Sequence, residues 1–125
     1  MYNYTDIIVN WYQQNKRDLP WRKDKNPYHV WISEIMLQQT RIEAVIDYYN
    51  CFLKELPKIE DLASVEEEKL LKLWEGLGYY NRAKNLKKAA IIITELDYFP
   101  KNYEELIKLP GIGEYTASAI SSICF

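Results

Sequence analysis

Apolar side chains recur three and four positions apart along most of the chain, and strand-like alternation never persists for more than a few residues. This period is typical of amphipathic helices, which bury one face and expose the other. Prolines and glycines divide the pattern into about seven segments, beginning with an amphipathic stretch between Ile7 and Tyr12. We find no internal repeat and no linker. The sequence therefore predicts an all-α fold.

Capping signals predict where several of these helices begin. Asn26 precedes Pro27, and proline is tolerated at the first helical position, so a helix should begin there and end near Gln39. Ser64 followed by Glu67 matches a capping box, which we expect to open a helix carrying the next apolar stripe.

Length and composition indicate ordinary globular material. The 125 residues are 48% hydrophobic and 27% charged, which suits one domain or part of a larger one. No apolar stretch approaches the ~18 residues of a membrane span, and the chain does not open with a secretory signal, so we expect an intracellular protein, in the cytoplasm or nucleoid if it is bacterial. Cys51 and Cys124 are too few and too far apart for a disulfide framework or a metal site, and we assign them to packing.

The charge balance limits any nucleic-acid function to local patches. The net charge of -2 argues against a strongly basic binding protein. The densest basic run is NRAKNLKK, residues 81 to 88, which suits either a local binding patch or a solvated helix face.

A single acid stands inside the apolar segment VWISEIMLQQT, residues 30 to 40. Val30, Trp31, Leu37 and Gln38 lie three or four positions from Glu34, so they share its helical face. Carboxylates are seldom fully buried unless they are paired. Glu34 is therefore either a partly exposed acid at the edge of the core or a functional carboxylate.

The segment LPGIGEYTASAI, residues 109 to 120, predicts a tight turn between two helices. The first helix is short and is capped by Asn102 with Glu105. Gly111 and Gly113 permit unusual backbone angles and close approach, and the open amides of the second helix suit a phosphate oxygen. A plain helix–helix connection remains the alternative.

The chain resembles the MutY-type adenine DNA glycosylases of the helix-hairpin-helix superfamily in four segments: LPWR, VWISEIMLQQT, LWEGLGYYNRAKNL and LPGIGEYTASAI. The resemblance extends from about Trp11 to Phe125. The resemblance implies a helical bundle of that type, truncated after the hairpin at about 103 to 124. Residues 1 to 125 would then be the N-terminal part of the catalytic domain. The implied activity is removal of adenine mispaired with 8-oxoguanine or guanine in double-stranded DNA, by hydrolysis of the N-glycosidic bond.

The same resemblance implies roles for individual residues. Glu34 would be the general acid that protonates the leaving adenine, because apolar neighbours raise the pKa of a carboxyl group until it can hold a proton near neutral pH. In LPWR, Arg22 would contact the adenine, with a surface salt bridge as its alternative, and Trp21 would bind substrate or DNA. The other implied DNA or substrate contacts are Gln39 and Tyr79 around the oxidised guanine, Gly111 and Gly113 at the phosphate, and Tyr115 at a catalytic position. Tyr79 could instead belong to the core.

The family parts that we do not find here are expected to follow Phe125. They are the catalytic Asp, the cysteines of a 4Fe–4S cluster, and the domain that helps to read 8-oxoguanine. We therefore expect no cofactor or metal in this fragment, a cluster in the full-length protein, and no useful excision by the fragment alone. Apolar faces around Ile120, Ile123 and Phe125 should be exposed and favour self-association.

Two other functions remain open. An endonuclease III-like or thymine-mismatch glycosylase is disfavoured by Tyr115, because its relatives carry at that place a lysine that attacks the sugar, and a phenol cannot form a Schiff base. A non-catalytic helical module that docks on DNA would not need Glu34.

Overall fold

The computed structural model describes residues 25–125, and within that range the chain forms seven α-helices and no strand, so the all-α prediction is confirmed. The helix predicted between Ile7 and Tyr12 lies outside the described residues, as do Trp21 and Arg22. Among the helices described, none is long and apolar enough to cross a membrane. The helices are α1 (Pro27–Leu37), α2 (Ile42–Glu55), α3 (Ile59–Ser64), α4 (Glu67–Leu73), α5 (Tyr80–Leu96), α6 (Tyr103–Leu106) and α7 (Glu114–Cys124).

Two of the predicted helix starts are confirmed in their hydrogen bonds. The Asn26 side chain accepts a hydrogen bond from the backbone N–H of Tyr28 at 2.9 Å, and Pro27 is the first residue of α1. The Asn102 side chain likewise accepts from the backbone N–H of Glu105 at 2.9 Å, which caps α6. Both caps satisfy amides that the first turn of a helix leaves without an intrahelical acceptor.

The capping box predicted at Ser64 is wrong. Ser64 ends the short helix α3, which the sequence pattern did not predict, and its Oγ donates to the carbonyl oxygen of Glu60 at 2.9 Å. The start of α3, just before Ile59, is stabilised by the Asp61 carboxylate, which accepts a hydrogen bond from the backbone N–H of Lys58 at 3.0 Å. A serine in the last turn of a helix readily bonds backward to a carbonyl, and here that preference outweighs capping of the next helix.

The core is assembled around α1 and α5. Helix α5 packs against α3 and α4, whereas α1 packs against α2 and α7. Aromatic side chains fill the space between these groups: Phe52 meets Trp74 edge to face with ring centroids 6.1 Å apart, and Trp31 meets Phe99 in the same way. This packing places the C-terminal end of α1 beside the N-terminal end of α7.

The apolar side chains at the end of the chain are less exposed than the sequence predicted. Ile120 is fully buried in the core, so its predicted exposure is wrong, while Ile123 is partly buried and Phe125 is exposed. Ile120 packs inward because α7 lies directly against α1. Self-association through the remaining apolar surface stays a prediction.

Candidate functional site

Helix α1 holds Glu34 in an almost dry environment. The side chain is only 4% exposed, and the residues on both sides of it along the helix, from Tyr28 to Met36, are nearly all buried. The alternative of a partly exposed acid at the core edge is therefore wrong. Burial of a carboxyl group costs free energy, so proteins retain such groups where chemistry or binding needs them.

A cleft of about 420 Å³ opens between α1, α5 and the turn that joins α6 to α7. Three residues predicted from the sequence line it, namely Gly111, Gly113 and Tyr115. Ile35 of α1 and the C-cap residue Gln38 contribute to the lining. Glu34 immediately precedes Ile35 along the helix and is not itself among the lining residues. The structure thus brings the G-x-G turn and the phenol together, next to the helix that carries the acid.

The two glycines of the turn differ in backbone conformation and in the space available for a side chain. Gly111 has φ 76°, in the left-handed region, and a Cβ added there would lie 2.8 Å from Cβ of Asn85 on α5. Gly113 has φ −90°, which any residue adopts, and a Cβ there would meet nothing within 4 Å. Gly111 is therefore required by the fold, whereas the space beside Gly113, at the N-terminus of α7, is open.

One side-chain hydrogen bond ties the helix that carries Glu34 to the hairpin. The Gln38 amide donates through Nε2 to the Thr116 hydroxyl at 3.0 Å. Thr116 is almost fully buried, so this bond joins the end of α1 to the first turn of α7 in a protected position.

The loop before α5 holds Tyr79 in an unusual backbone conformation. Gly76 and Gly78 have φ values of 94° and 79°, and Tyr79 itself has φ 53°, which is uncommon for an aromatic residue. The indole Nε1 of buried Trp74 donates to the Gly78 carbonyl at 3.1 Å and fixes the loop to the core. The Tyr79 ring is 73% exposed, so the alternative of a core tyrosine is wrong.

Arg82, which was not predicted individually as a site residue, joins two residues that were, Gln39 and Tyr79. With the Gln39 amide oxygen turned toward the guanidinium, it accepts hydrogen bonds from Nη1 of Arg82 and from Nε at 2.9 Å. The Cζ atom of Arg82 also lies 5.4 Å from the centroid of the Tyr79 ring. The spacing of three between Tyr79 and Arg82 at a helix start could have indicated this pair, but nothing local in the sequence indicates Gln39 as its partner.

The basic run on α5 is divided between two surfaces. Lys84 forms an ion pair with Glu67 at 3.3 Å on the side of α4, whereas Arg82 lines the cleft. Exposed pairs of this kind contribute little to stability. The run therefore supplies one cation, Arg82, to the lining of the cleft.

No three side chains of the metal-ligating types come together within residues 25–125. Cys51 is exposed on α2 and Cys124 is partly buried at the end of α7, and both are free thiols. These two cysteines do not fit an iron–sulfur cluster, which takes four cysteine ligands.

Comparison with known proteins agrees with this geometry. The chain is 50% identical to the adenine DNA glycosylase of Buchnera aphidicola subsp. Baizongia pistaciae over 98% of its length, and 45% identical to the human adenine DNA glycosylase over 94%. It spans 36% and 24% of those relatives, so it corresponds to about a third of their length or less. The resemblance found in the sequence is confirmed.

Solved structures share the same arrangement of helices. A thermostable thymine-DNA glycosylase superposes with a TM-score of 0.80 at 28% identity, over 98% of this chain and 58% of the other. An endonuclease III in a non-covalent DNA complex superposes with a TM-score of 0.75 at 24% identity, over 100% and 61%, and shares the fold. The family model for the HhH-GPD superfamily base excision DNA repair protein matches residues 32 to 123, and on that match the chain belongs to this superfamily.

Proposed function

We propose that the complete protein containing this chain removes adenine mispaired with 8-oxoguanine or guanine by hydrolysing the bond between base and sugar. The observation that carries the proposal is Glu34, a carboxyl group only 4% exposed within an apolar helix. In addition, the chain is 45–50% identical in sequence to several proteins named adenine DNA glycosylase. We infer an intracellular enzyme that acts on double-stranded DNA.

Glu34 has the chemistry that departure of adenine requires. The base leaves as a neutral molecule only if it gains a proton, and the sugar then develops oxocarbenium-like charge, as in glycoside hydrolysis. A carboxyl group shielded from water can donate that proton to a ring nitrogen of a base turned out of the duplex. Within the proposal Glu34 is this general acid, Arg22 contacts the adenine, and Trp21 binds substrate or DNA.

The cleft and its rim supply the contacts to DNA. The open space beside Gly113 lets a phosphate oxygen reach the amides at the N-terminus of α7. The exposed ring of Tyr79 offers a surface that can wedge between bases and stack on one of them, while Gln39 can hydrogen-bond a base edge. Tyr115 lines the cleft and is 55% exposed, which supports the proposal that it faces the sugar of the extruded nucleotide.

A thymine-mismatch or endonuclease III-like activity is the second candidate, because a thymine-DNA glycosylase superposes so well. Two observations favour adenine. Identity to the adenine enzymes is 45–50%, compared with 28% for the thymine enzyme. Tyr115 also offers a phenol where lyase chemistry needs an amine. A module that only docks on DNA is disfavoured because it has no use for a buried acid at Glu34.

A 4Fe–4S cluster belongs to the proposal only for the complete protein. Cys51 and Cys124 are not proposed as its ligands, since they lie on different helices as free thiols. The steps proposed for Glu34 and for the cleft do not depend on the cluster.

The decisive experiment replaces Glu34 in the complete protein. Glu34→Gln keeps the shape of the side chain but removes the acid, so single-turnover excision from an adenine:8-oxoguanine duplex should fall about 10²–10⁴-fold. Binding to the same duplex should stay within a few-fold of wild type. The matched control is Glu68→Gln, which makes the same change at an exposed position on α4. Excision by Glu34→Gln within a few-fold of wild type would overturn the proposal.

A further inference from the structure

We propose that Arg82 is a positioning residue that orients Gln39 and Tyr79 for entry into the duplex. The inference rests on the proposed function, and it assigns a role to a residue outside the set expected from the sequence. Gln39 follows the end of α1 and Tyr79 precedes α5, so these two side chains come from separate elements. Arg82 contacts both of them.

The geometry suits arginine and no other cation. Its guanidinium presents two N–H groups, Nε and Nη1, to one acceptor, the amide oxygen of Gln39. The guanidinium lies at the same time over the Tyr79 ring, with Cζ 5.4 Å from the centroid. A lysine ammonium keeps the charge but has neither the fork nor the flat face. Arg82 is partly buried, which strengthens both contacts relative to a fully solvated cation.

Arg82 is also held close to Tyr79 through the main chain. Its backbone N–H donates to the Tyr79 carbonyl at 2.9 Å, across the first turn of α5. The left-handed conformation of Tyr79 thus leads directly into the turn that carries Arg82. Because the loop is fixed to Trp74, the arginine has a rigid base from which to reach Gln39.

This arrangement determines which face Gln39 presents to DNA. In the orientation in which its carbonyl oxygen accepts from the guanidinium, Gln39 keeps its NH₂ group to donate hydrogen bonds to another partner. We therefore infer that Gln39 reads acceptor atoms on a base edge. Without Arg82 the amide could turn over and offer its oxygen equally well, which would weaken discrimination between bases.

The competing role for Arg82 is a simple phosphate contact. The two ion pairs found within residues 25–125 involve Lys69 and Lys84, so neither of these pairs neutralises the guanidinium of Arg82. A phosphate contact acts on every duplex alike, whereas a positioning residue acts on the mispair. The ratio of affinities for mispaired and matched DNA separates the two roles.

The first experiment compares Arg82→Lys with wild type in the complete protein. Affinity for a fully matched duplex, and its salt dependence, should stay within about twofold because the charge is kept. Affinity for the adenine:8-oxoguanine duplex should fall about tenfold, by analogy with the loss of one good bidentate contact. The matched control is Arg41→Lys at the exposed N-cap of α2, which should leave both affinities unchanged. Equal affinity ratios for Arg82→Lys and wild type would overturn the proposal.

A double substitution tests whether Arg82 acts through Gln39. In a Gln39→Ala background the positioning role toward that amide is already lost, so adding Arg82→Lys should change the affinity ratio by less than about threefold. A full additional tenfold loss would show that Arg82 works independently of Gln39 and would contradict the inference.

A measurement without DNA keeps the inference separate from the proposed function. In the nuclear magnetic resonance spectrum of the free protein, Arg82→Lys should shift the side-chain NH₂ signals of Gln39, while Arg41→Lys should not. If wild type shows no preference for the mispair but this shift is seen, the proposed function fails and the contact stands. If the Gln39 signals do not move, the positioning role is wrong whatever the enzyme does.

Discussion

The two glycines of the α6–α7 turn allow one substitution to test folding and the other to test binding. Gly111→Ala should destabilise the protein, because alanine at φ 76° costs about 1–2 kcal/mol for an L-residue in the left-handed region. The new Cβ would also lie 2.8 Å from Cβ of Asn85, an atom attached directly to the backbone of α5. Relief of that contact requires the turn to move away from α5, which costs roughly 1–3 kcal/mol as overpacking.

The combined loss for Gly111→Ala is therefore of the order of 2–5 kcal/mol, a large part of the ~5–15 kcal/mol that holds a typical domain together. Gly113→Ala should change the free energy of unfolding by less than about 1 kcal/mol, since its φ is ordinary and the space beside it is open. The same methyl group would occupy the space through which we propose that a phosphate oxygen reaches the α7 amides. Affinity for a duplex should consequently fall about tenfold, as for the loss of one charge-assisted hydrogen bond.

Urea unfolding followed by circular dichroism measures the first effect, and duplex titration at fixed salt measures the second. Each variant is the control for the other, because both add one methyl group to the same turn. The reasoning about the fold is refuted if Gly111→Ala unfolds within 0.5 kcal/mol of wild type, a margin of about the size that neutral surface changes produce. Wild-type affinity in Gly113→Ala would mean that no phosphate approaches at that point.

Two further predictions concern tyrosines. Tyr115→Lys in the complete protein should place an amine in the cleft and produce a covalent adduct with DNA that borohydride traps. The control Tyr98→Lys, at a position outside the cleft lining, should give no adduct. Absence of an adduct with Tyr115→Lys would mean that position 115 does not face the sugar. Burial raises the pKa of Tyr28, whose hydroxyl donates to the Leu56 carbonyl at 2.7 Å, so the folded state keeps a proton that the unfolded state loses near pH 10. Stability should therefore fall above about pH 10, and Tyr28→Phe should lessen that fall by up to ~1.4 kcal/mol per pH unit in urea titrations; parallel curves would refute the assignment.

Local signals in the sequence predicted the parts of the fold that are decided locally. The caps at Asn26 and Asn102 were predictable because each involves side chains and amides within three residues. Helix α3 was missed because its six residues are too few for a clear period, and a serine at its end resembled a cap for the next helix. The apolar neighbours of Glu34 at helical spacing did not decide its burial, because the same spacing also fits an acid at the edge of the core; the packing of the helices buries it.

The sequence singled out Gly111, Gly113 and Tyr115, which line the cleft, but not how the cleft is arranged around them. The sequence treats Gly111 and Gly113 alike, and only the position of Asn85 on a distant helix distinguishes them. Arg82 looked like one member of a basic run because its partner Gln39 lies on another element. Such contacts depend on how α1 and α5 pack, and packing angles are not encoded in any short segment.

The hydrogen bond between Gln38 and Thr116 spans 78 positions of sequence, and this separation sets an order on folding. Closure of a loop of that length costs about 4 kcal/mol of chain entropy, whereas α3, α4 and α5 lie close along the chain and pack at less cost. During synthesis the helix that carries Glu34 leaves the ribosome well before the hairpin that completes the cleft, because chains grow at only ~5–20 residues per second. Among the helices of residues 25–125 that pack closely against α1, α2 is synthesised first, and α7 follows several seconds later.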